Sequence, residues 1–328
     1  MKYPWQQANW HNLSTSLNNN QLAHALLFHG ASGTGKRDFA HHFAHWLLCE
    51  QPDSEQACGQ CKACQLLQAE SNPDFLQLSP EGDSREIKVD QVRALIDKLA
   101  LTQHSTGTRV VIISPADAMN ISASNSLLKT LEEPSPGTIL LLVTDRPSAL
   151  SATIRSRCQQ IRFDLPAKEL ALQWMTQQQL DNPELLYRLS AGAPLAARAL
   201  AEEDGLQIRQ QLFENWQQLA QGKVDPVTSA DMWLKTGFRN KDRLPLYWVS
   251  SWIIDMIRSL QGAGIESMDN VDYAKNLHQM ALQTDLKALY DLYDRVNETL
   301  RMSESPVNLL NLVEGLLIIW SGLKRRAA

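Results

Sequence analysis

An α/β module with a parallel sheet covered by helices on both faces, followed by an all-helical remainder, is the fold class this sequence predicts. Three observations carry it. Apolar runs of strand length alternate with helical periodicities through the first half of the chain. Gly30-Ala31-Ser32-Gly33-Thr34-Gly35-Lys36 sits between the first such run and a helical segment. After Pro166 the strand signals stop.

The first strand is read over 25–29, ending at Gly30, and a helix over 39–48 runs into Cys49. A second strand over 74–78 follows Asn72-Pro73. Asp90 is expected to cap a helix over 91–101, whose Val92, Leu95, Ile96 and Leu99 fall at i, i+3, i+4, i+7. Residues 110–113, 139–143 and 161–163 are the remaining strands. A helix over 122–133, stopped by Pro134, separates the first two of these. Short helical patterns over 167–204 break at Asn182-Pro183 and between Gly192 and Pro194. Longer amphipathic segments follow at 206–221, 243–261, 271–300 and 306–323. The boundaries expected are therefore 1–165, 166–205 and 206–328. Trp248, Trp252, Ile253, Met256 and Ile257 fall at helical spacing and read as core.

Length and composition bound the function. At 328 residues the chain suits two or three domains, and 44% hydrophobic with 20% charged residues describes a soluble globular protein. The longest apolar stretch, 307–320, is interrupted by Asn308, Asn311, Glu314 and Gly315 and is shorter than the roughly 20 residues of a membrane span. No secretory signal opens the chain, so a cytoplasmic location is expected. The formal charge of −5 argues against a surface that supplies most of the phosphate contacts to DNA. Any DNA role is then indirect or confined to a patch such as Lys324-Arg325-Arg326, which otherwise reads as a solvated end.

In the glycine-rich loop, Gly30, Gly33 and Gly35 would let backbone amides approach an anion at a helix N-terminus, and Lys36 would reach the outer phosphates. The next residue departs from the pattern. Arg37 stands where a Ser or Thr hydroxyl would hold magnesium, and a guanidinium has no acceptor atom for a metal. It can still contact phosphate, so nucleotide binding stays open. A second loss is independent: the strand over 110–113 runs into Ser114 and Pro115 where carboxylates for metal and water are needed. Asp117, three residues on, reads as a helix-start cap or solvated turn residue rather than a ligand. Together these predict a degenerate ATP site that the chain does not use for hydrolysis.

Cys49, Cys58, Cys61 and Cys64 follow the pattern C-x8-C-x2-C-x2-C. In a reducing compartment four thiolates at this density fit a tetrahedral structural Zn2+, which would pin a small loop-rich insert lacking its own core. His45 is one turn before Cys49 but reads as a surface histidine. Cys158 is remote and reads as unligated. A free-standing zinc module binding nucleic acid is disfavoured, because only Lys62 is basic among the four cysteines.

The chain resembles the AAA+ clamp-loader family of bacterial DNA polymerase III, and within it the non-hydrolysing branch. The residues that carry the resemblance run nearly end to end: His24-Ala25-Leu26-Leu27, the phosphate loop, the four cysteines and Asn72-Pro73-Asp74. They continue through Leu127-Leu128-Lys129-Thr130-Leu131-Glu132-Glu133-Pro134, Thr153-Ile154-Arg155-Ser156-Arg157-Cys158 and Asn308-Leu309-Leu310. The resemblance implies an AAA+ module, a small helical lid and a helical collar that joins five subunits in a ring. It implies partners: motor subunits of the gamma/tau type, a clamp-opening delta subunit, and the sliding clamp and primed DNA through the assembly. It assigns Arg157, within the motif Ser156-Arg157-Cys158, as an arginine finger acting in trans on a neighbour's ATP. Without the resemblance, Arg155, Arg157 and Arg162 read as a basic stretch at a strand entrance. It also implies a lid arginine shortly after Gly192 in hydrolysing relatives, where this chain has none until Arg198. The role implied is a structural stator of a DNA-directed DNA polymerase assembly without intrinsic ATPase. The alternative is an active motor subunit.

Overall fold

Strict alternation of buried side chains explains how one sheet carries helices on both faces. On β1 (Ala25–Gly30), Leu26 and Phe28 enter one core and Ala25 and Leu27 the other. On β3 (Arg109–Ile113) Val110 and Ile112 oppose Val111 and Ile113, and on β4 (Thr138–Thr144) Leu141 and Val143 oppose Leu140 and Leu142. With both faces covered, the strands read as continuous apolar runs rather than alternating ones. The computed structural model describes residues 3–82, 84–100, 107–202, 204–236, 243–303 and 307–323. The basic tail at 324–326 and the end of the helix expected to reach 101 lie outside them.

All strands are parallel, in the order β2-β3-β4-β1-β5, with β2 over Phe75–Leu78 and β5 over Gln159–Phe163. Helices α1 (Gln7–Asn18) and α2 (Lys36–Leu48) cover one face through Trp10, Leu13, Phe39 and Phe43. The short α3 (Lys62–Gln68) adds Leu67 to that core. Helices α4 (Val89–Leu99), α5 (Ile121–Glu132) and α6 (Ala152–Arg157) cover the other face. The expected Asp90 cap is corrected: α4 starts two residues earlier than expected, at Val89, and Gln91 Oε1 accepts the Lys88 N–H at 2.9 Å, so Lys88 holds the cap position. The Gln91 side chain competes successfully for that backbone donor.

Asn72-Pro73-Asp74 has a structural reason. Asn72 Oδ1 accepts the Asp74 N–H at 2.9 Å, and the buried Asp74 carboxylate faces Arg109 Nη2 at 3.5 Å. Arg109 also donates to the carbonyls of Lys98 and Leu99, the last turn of α4, at 3.0 and 3.1 Å. Removing one member of a buried pair leaves the other charge uncompensated. Asp74→Ala is therefore expected to cost about 3–5 kcal/mol, read as a drop in the urea midpoint. Asp74→Leu combined with Arg109→Met recovers part of it.

The chain divides into two units, Met1–Ala171 and Leu172–Ala328, with the boundary inside α7 (Lys168–Gln177). The second unit is helical, with α8 (Pro183–Leu189), α9 (Pro194–Glu202), α10 (Gly205–Ala220), α11 (Pro226–Thr236) and α12 (Leu244–Leu260) in succession. The segment expected over 271–300 is two helices, α13 (Ala274–Leu282) and α14 (Leu286–Met302), because Asp285 caps the second by accepting the N–H groups of Lys287 and Ala288. The last helix is α15 (Leu309–Gly322). Trp216, Trp233, Trp252 and Trp320 are fully buried, and Trp216 stacks on Trp320 at 4.2 Å. Trp248, Trp252, Ile253, Met256 and Ile257 are all core, as their spacing predicts. Among the described residues no helix is long and apolar enough to cross a membrane.

Candidate functional site

The glycine-rich loop leaves β1 at Gly30 and enters α2 at Lys36, as its sequence context requires. Gly30 has φ +142°, and a Cβ there would come within 2.1 Å of the Phe163 carbonyl oxygen on β5, so only glycine fits. Gly33 also has positive φ. The Lys36 side chain is buried, and its ammonium turns inward. It donates to the carbonyls of Gly30 (3.0 Å) and Ala31 (2.5 Å), approaches Thr34 Oγ1 at 3.4 Å, and pairs with Asp145 at 2.6 Å. An ammonium has three donors, and these oxygens engage them all. Asp145, just past β4, carries no motif that would single it out in the sequence.

The N-terminal segment covers the same loop. Trp5 Nε1 and Gln6 Nε2 both donate to the Thr34 carbonyl at 2.9 Å, and Gln6 reaches the Gly35 carbonyl at 3.0 Å. Tyr3 stacks on Trp5 and donates its hydroxyl to Asp38 in the first turn of α2. A Cβ on Gly35 would meet the Tyr3 ring at 2.6 Å, so this glycine makes room for the chain's own aromatic ring. Arg37 is exposed on α2.

At the end of β3, Ser114 and Pro115 lead into a short turn that carries Asp117. The expectation of a cap or solvated turn residue is corrected here. The Asp117 side chain is buried: it accepts from Thr144 Oγ1 at 2.6 Å and from Arg146 Nε at 3.0 Å, with Arg146 Nη2 at 2.9 Å. This ion pair ties the exits of β3 and β4 together.

The four cysteine sulfurs all lie within 4.8 Å of one another, with Cys49 Sγ 3.9 Å from Cys61 Sγ and Cys58 Sγ 4.0 Å from Cys64 Sγ. Zn–S bonds of about 2.3 Å in a tetrahedron put sulfurs about 3.8 Å apart, so the cluster fits a zinc ion. Backbone N–H groups point at the sulfurs: Cys58 N–H to Cys49 Sγ (3.2 Å), Cys61 N–H to Cys58 Sγ (3.3 Å) and Cys64 N–H to Cys61 Sγ (3.5 Å). Donation from Gln60 and Cys61 lowers the Cys58 thiol to about 6, while burial pushes Cys64 up to about 12. His45 lies outside this group. It is half-buried, not the surface residue expected, because its ring packs edge-on against Phe75 at 5.5 Å, and burial lowers its pKa. Cys158 is apart from the cluster, in the core beneath α6, where burial raises its thiol to about 11.

Helix α6 presents Arg157 at its last position. Ser151 caps the helix by accepting the Ile154 N–H at 3.3 Å. Ile154 and Cys158, on either side of Arg157, are both buried in the core that also holds Leu127 and Leu131 of α5. Arg157 Nε donates to Glu132 Oε1 at 2.7 Å, Nη2 lies 2.5 Å from the same oxygen, and Nη1 donates to the Thr153 carbonyl at 3.1 Å. Ser156 is exposed and bonds back to Thr153. Arg155 belongs to the same short helix, and Arg162 on β5 pairs with Asp164 at 2.6 Å. The fold therefore keeps Arg155 and Arg157 on one helix and places Arg162 on the following strand. In the second unit, Gly192 follows α8 with φ +83°, and Arg198 on α9 pairs with Glu202 at 3.6 Å and lies over the Trp174 ring.

Residues 5–167 match the family described as DNA polymerase III, delta subunit, and residues 203–321 match its C-terminal counterpart. The chain is 37% identical over 332 residues to DNA polymerase III subunit delta-prime of Pseudomonas aeruginosa, covering 98% of each. It is 32% identical over 324 residues to the Escherichia coli K12 subunit of that name, covering 96% of this chain and 94% of the other. Among solved structures it is similar to a DNA polymerase III gamma subunit-related protein of Thermotoga maritima, with TM-score 0.46 and 16% identity, over 96% and 99% of the two chains.

Proposed function

The chain belongs to the delta-prime family of DNA polymerase III subunits, with an AAA+ module at its head, and from that premise we propose that it is the non-hydrolysing stator of a clamp loader. In this reading it sits in a five-membered ring beside gamma/tau motor subunits and the delta subunit. Through that assembly it serves the loading of a sliding clamp on primed DNA in the cytoplasm. Residues 166–205 form the lid and residues 206–328 the collar that holds the ring. Exposed apolar side chains on the last helix, Ile318 and Ile319, suit such a contact. The cysteine cluster holds structural Zn2+, whose chemistry is to cross-link four thiolates. Arg157 acts in trans on the ATP of an adjacent motor subunit.

One observation carries the non-hydrolysing part: the Lys36 ammonium is satisfied by four oxygens of its own chain, one of them the Asp145 carboxylate. A nucleotide phosphate would have to displace that carboxylate and the loop carbonyls. It would do so without the magnesium that Arg37, Ser114 and Pro115 fail to hold. The purified, zinc-replete chain alone is therefore expected to show no ATP turnover. Steady-state phosphate release measures it. Turnover that Lys36→Ala abolishes would make the chain a motor subunit instead.

A further inference from the structure

We propose that Glu132 is a positioning residue for Arg157, holding the guanidinium so that its outer edge faces a neighbour's phosphates. The proposal rests on the reading of Arg157 as a finger acting in trans. The two residues are 25 apart in sequence, yet the last turn of α5 and the last residue of α6 bring them together.

A guanidinium carries five N–H donors. Glu132 Oε1 receives Nε and contacts Nη2, and the Thr153 carbonyl receives Nη1. Two donors are left over, one on each Nη nitrogen. Those two form the fork that matches phosphate oxygens bidentately. An arginine side chain is long and samples many rotamers, so an unheld finger would lose that freedom only on meeting the phosphate. Here the ordering is done in advance.

The mount is rigid as well. Leu131, the residue before Glu132, is buried, and its carbonyl contacts His24 Nε2 at 2.8 Å. Ile154 and Cys158 flank Arg157 from within the same core. Both partners of the pair are themselves accessible, with side-chain exposures of 33% for Arg157 and 50% for Glu132. The held guanidinium is thus fixed from below and open to a neighbouring subunit. The first glutamate of the Leu-Glu-Glu-Pro string acquires a role that helix termination alone does not give it.

The test uses a ring reconstituted with motor subunits in which only the motor site facing this chain can hydrolyse ATP. Glu132→Ala is expected to lower kcat at that site about 10- to 100-fold, the scale of a misplaced reacting group, with KM for ATP unchanged. Glu132→Gln, which keeps the reach and one acceptor oxygen, recovers part of the rate. Arg157→Ala lowers the rate further, and adding Glu132→Ala to it produces no additional loss. Unchanged urea midpoints and ring assembly establish that the variants are folded. If Glu132→Ala leaves kcat unchanged or raises it while Arg157→Ala slows the ring, the positioning role is wrong and the finger stands. If Arg157→Ala has no effect, the finger reading falls and the role of Glu132 falls with it.

Discussion

Arg157→Ala is expected to slow ATP hydrolysis at the neighbouring motor site by about 10³-fold or more, the lower end of what arginine fingers contribute. The physical reason is local: charge spreads over the phosphoryl oxygens as the bond to the leaving group loosens, and a fixed guanidinium meets it without reorganising. The effect is confined to one interface. A ring with several working motor sites loses only the share of that site, so the measurement needs the other sites inactivated. Arg157→Lys is expected to recover little, because an ammonium cannot reproduce the contacts to Glu132 and Thr153 while offering two donors in a fork. Ring assembly is expected to survive, since Arg157 stands outside the buried core that its neighbours Ile154 and Cys158 enter.

Removal of the zinc proposed for the four thiolates is the second large effect expected. Binding to the folded state alone stabilises by RT ln(1 + [Zn]/Kd), about 4 kcal/mol when free zinc stands at 1,000 times Kd. Much of that gain is local, since the segment between Cys49 and Cys61 has little core beyond its ties to the first face. Those ties include Trp46 Nε1 to the Asp53 carbonyl (2.8 Å), Trp10 Nε1 to the Ser54 carbonyl (3.1 Å) and His42 Nε2 to the Glu55 carbonyl (2.8 Å). A strong chelator, or Cys61→Ser, is expected to lower the melting temperature of the first unit and to open the insert to proteolysis. The pH dependence has a definite sign. Thiolates bind the metal and protons compete, so affinity rises with pH. Acidification weakens binding throughout and more steeply below about 6, where Cys58 also takes up its proton. Zinc release followed with a colorimetric chelator across roughly pH 5–8 checks this. A pH-independent affinity would mean that the four thiols are not the ligands.

Some of this is legible in the residues alone. Each strand falls within two residues of its expected bounds, because a strand buried on both faces must be apolar throughout, with Gly30 ending β1 and Pro115 following β3. The cysteine cluster is legible because close spacing in sequence forces closeness in space. Other features have no local signature. Asp117 reads as solvated because its partners, Thr144 and Arg146, arrive from the next strand 27 and 29 residues away. One apparent helix over 271–300 is two, since periodicity continues across a break that a single capping aspartate creates.

The sequence by itself determined the α/β class, the glycine-rich loop followed by Arg37, the close grouping of the four cysteines and the motif that carries Arg157. Each depends on residue type at a fixed short spacing, which the chain encodes directly. Tertiary structure alone decided what those residues face. It turned Lys36 onto Asp145, laid Tyr3, Trp5 and Gln6 over the loop, and set Glu132 against Arg157. These contacts join residues far apart in sequence, and their geometry follows from how the helices pack on the sheet, which no local pattern records.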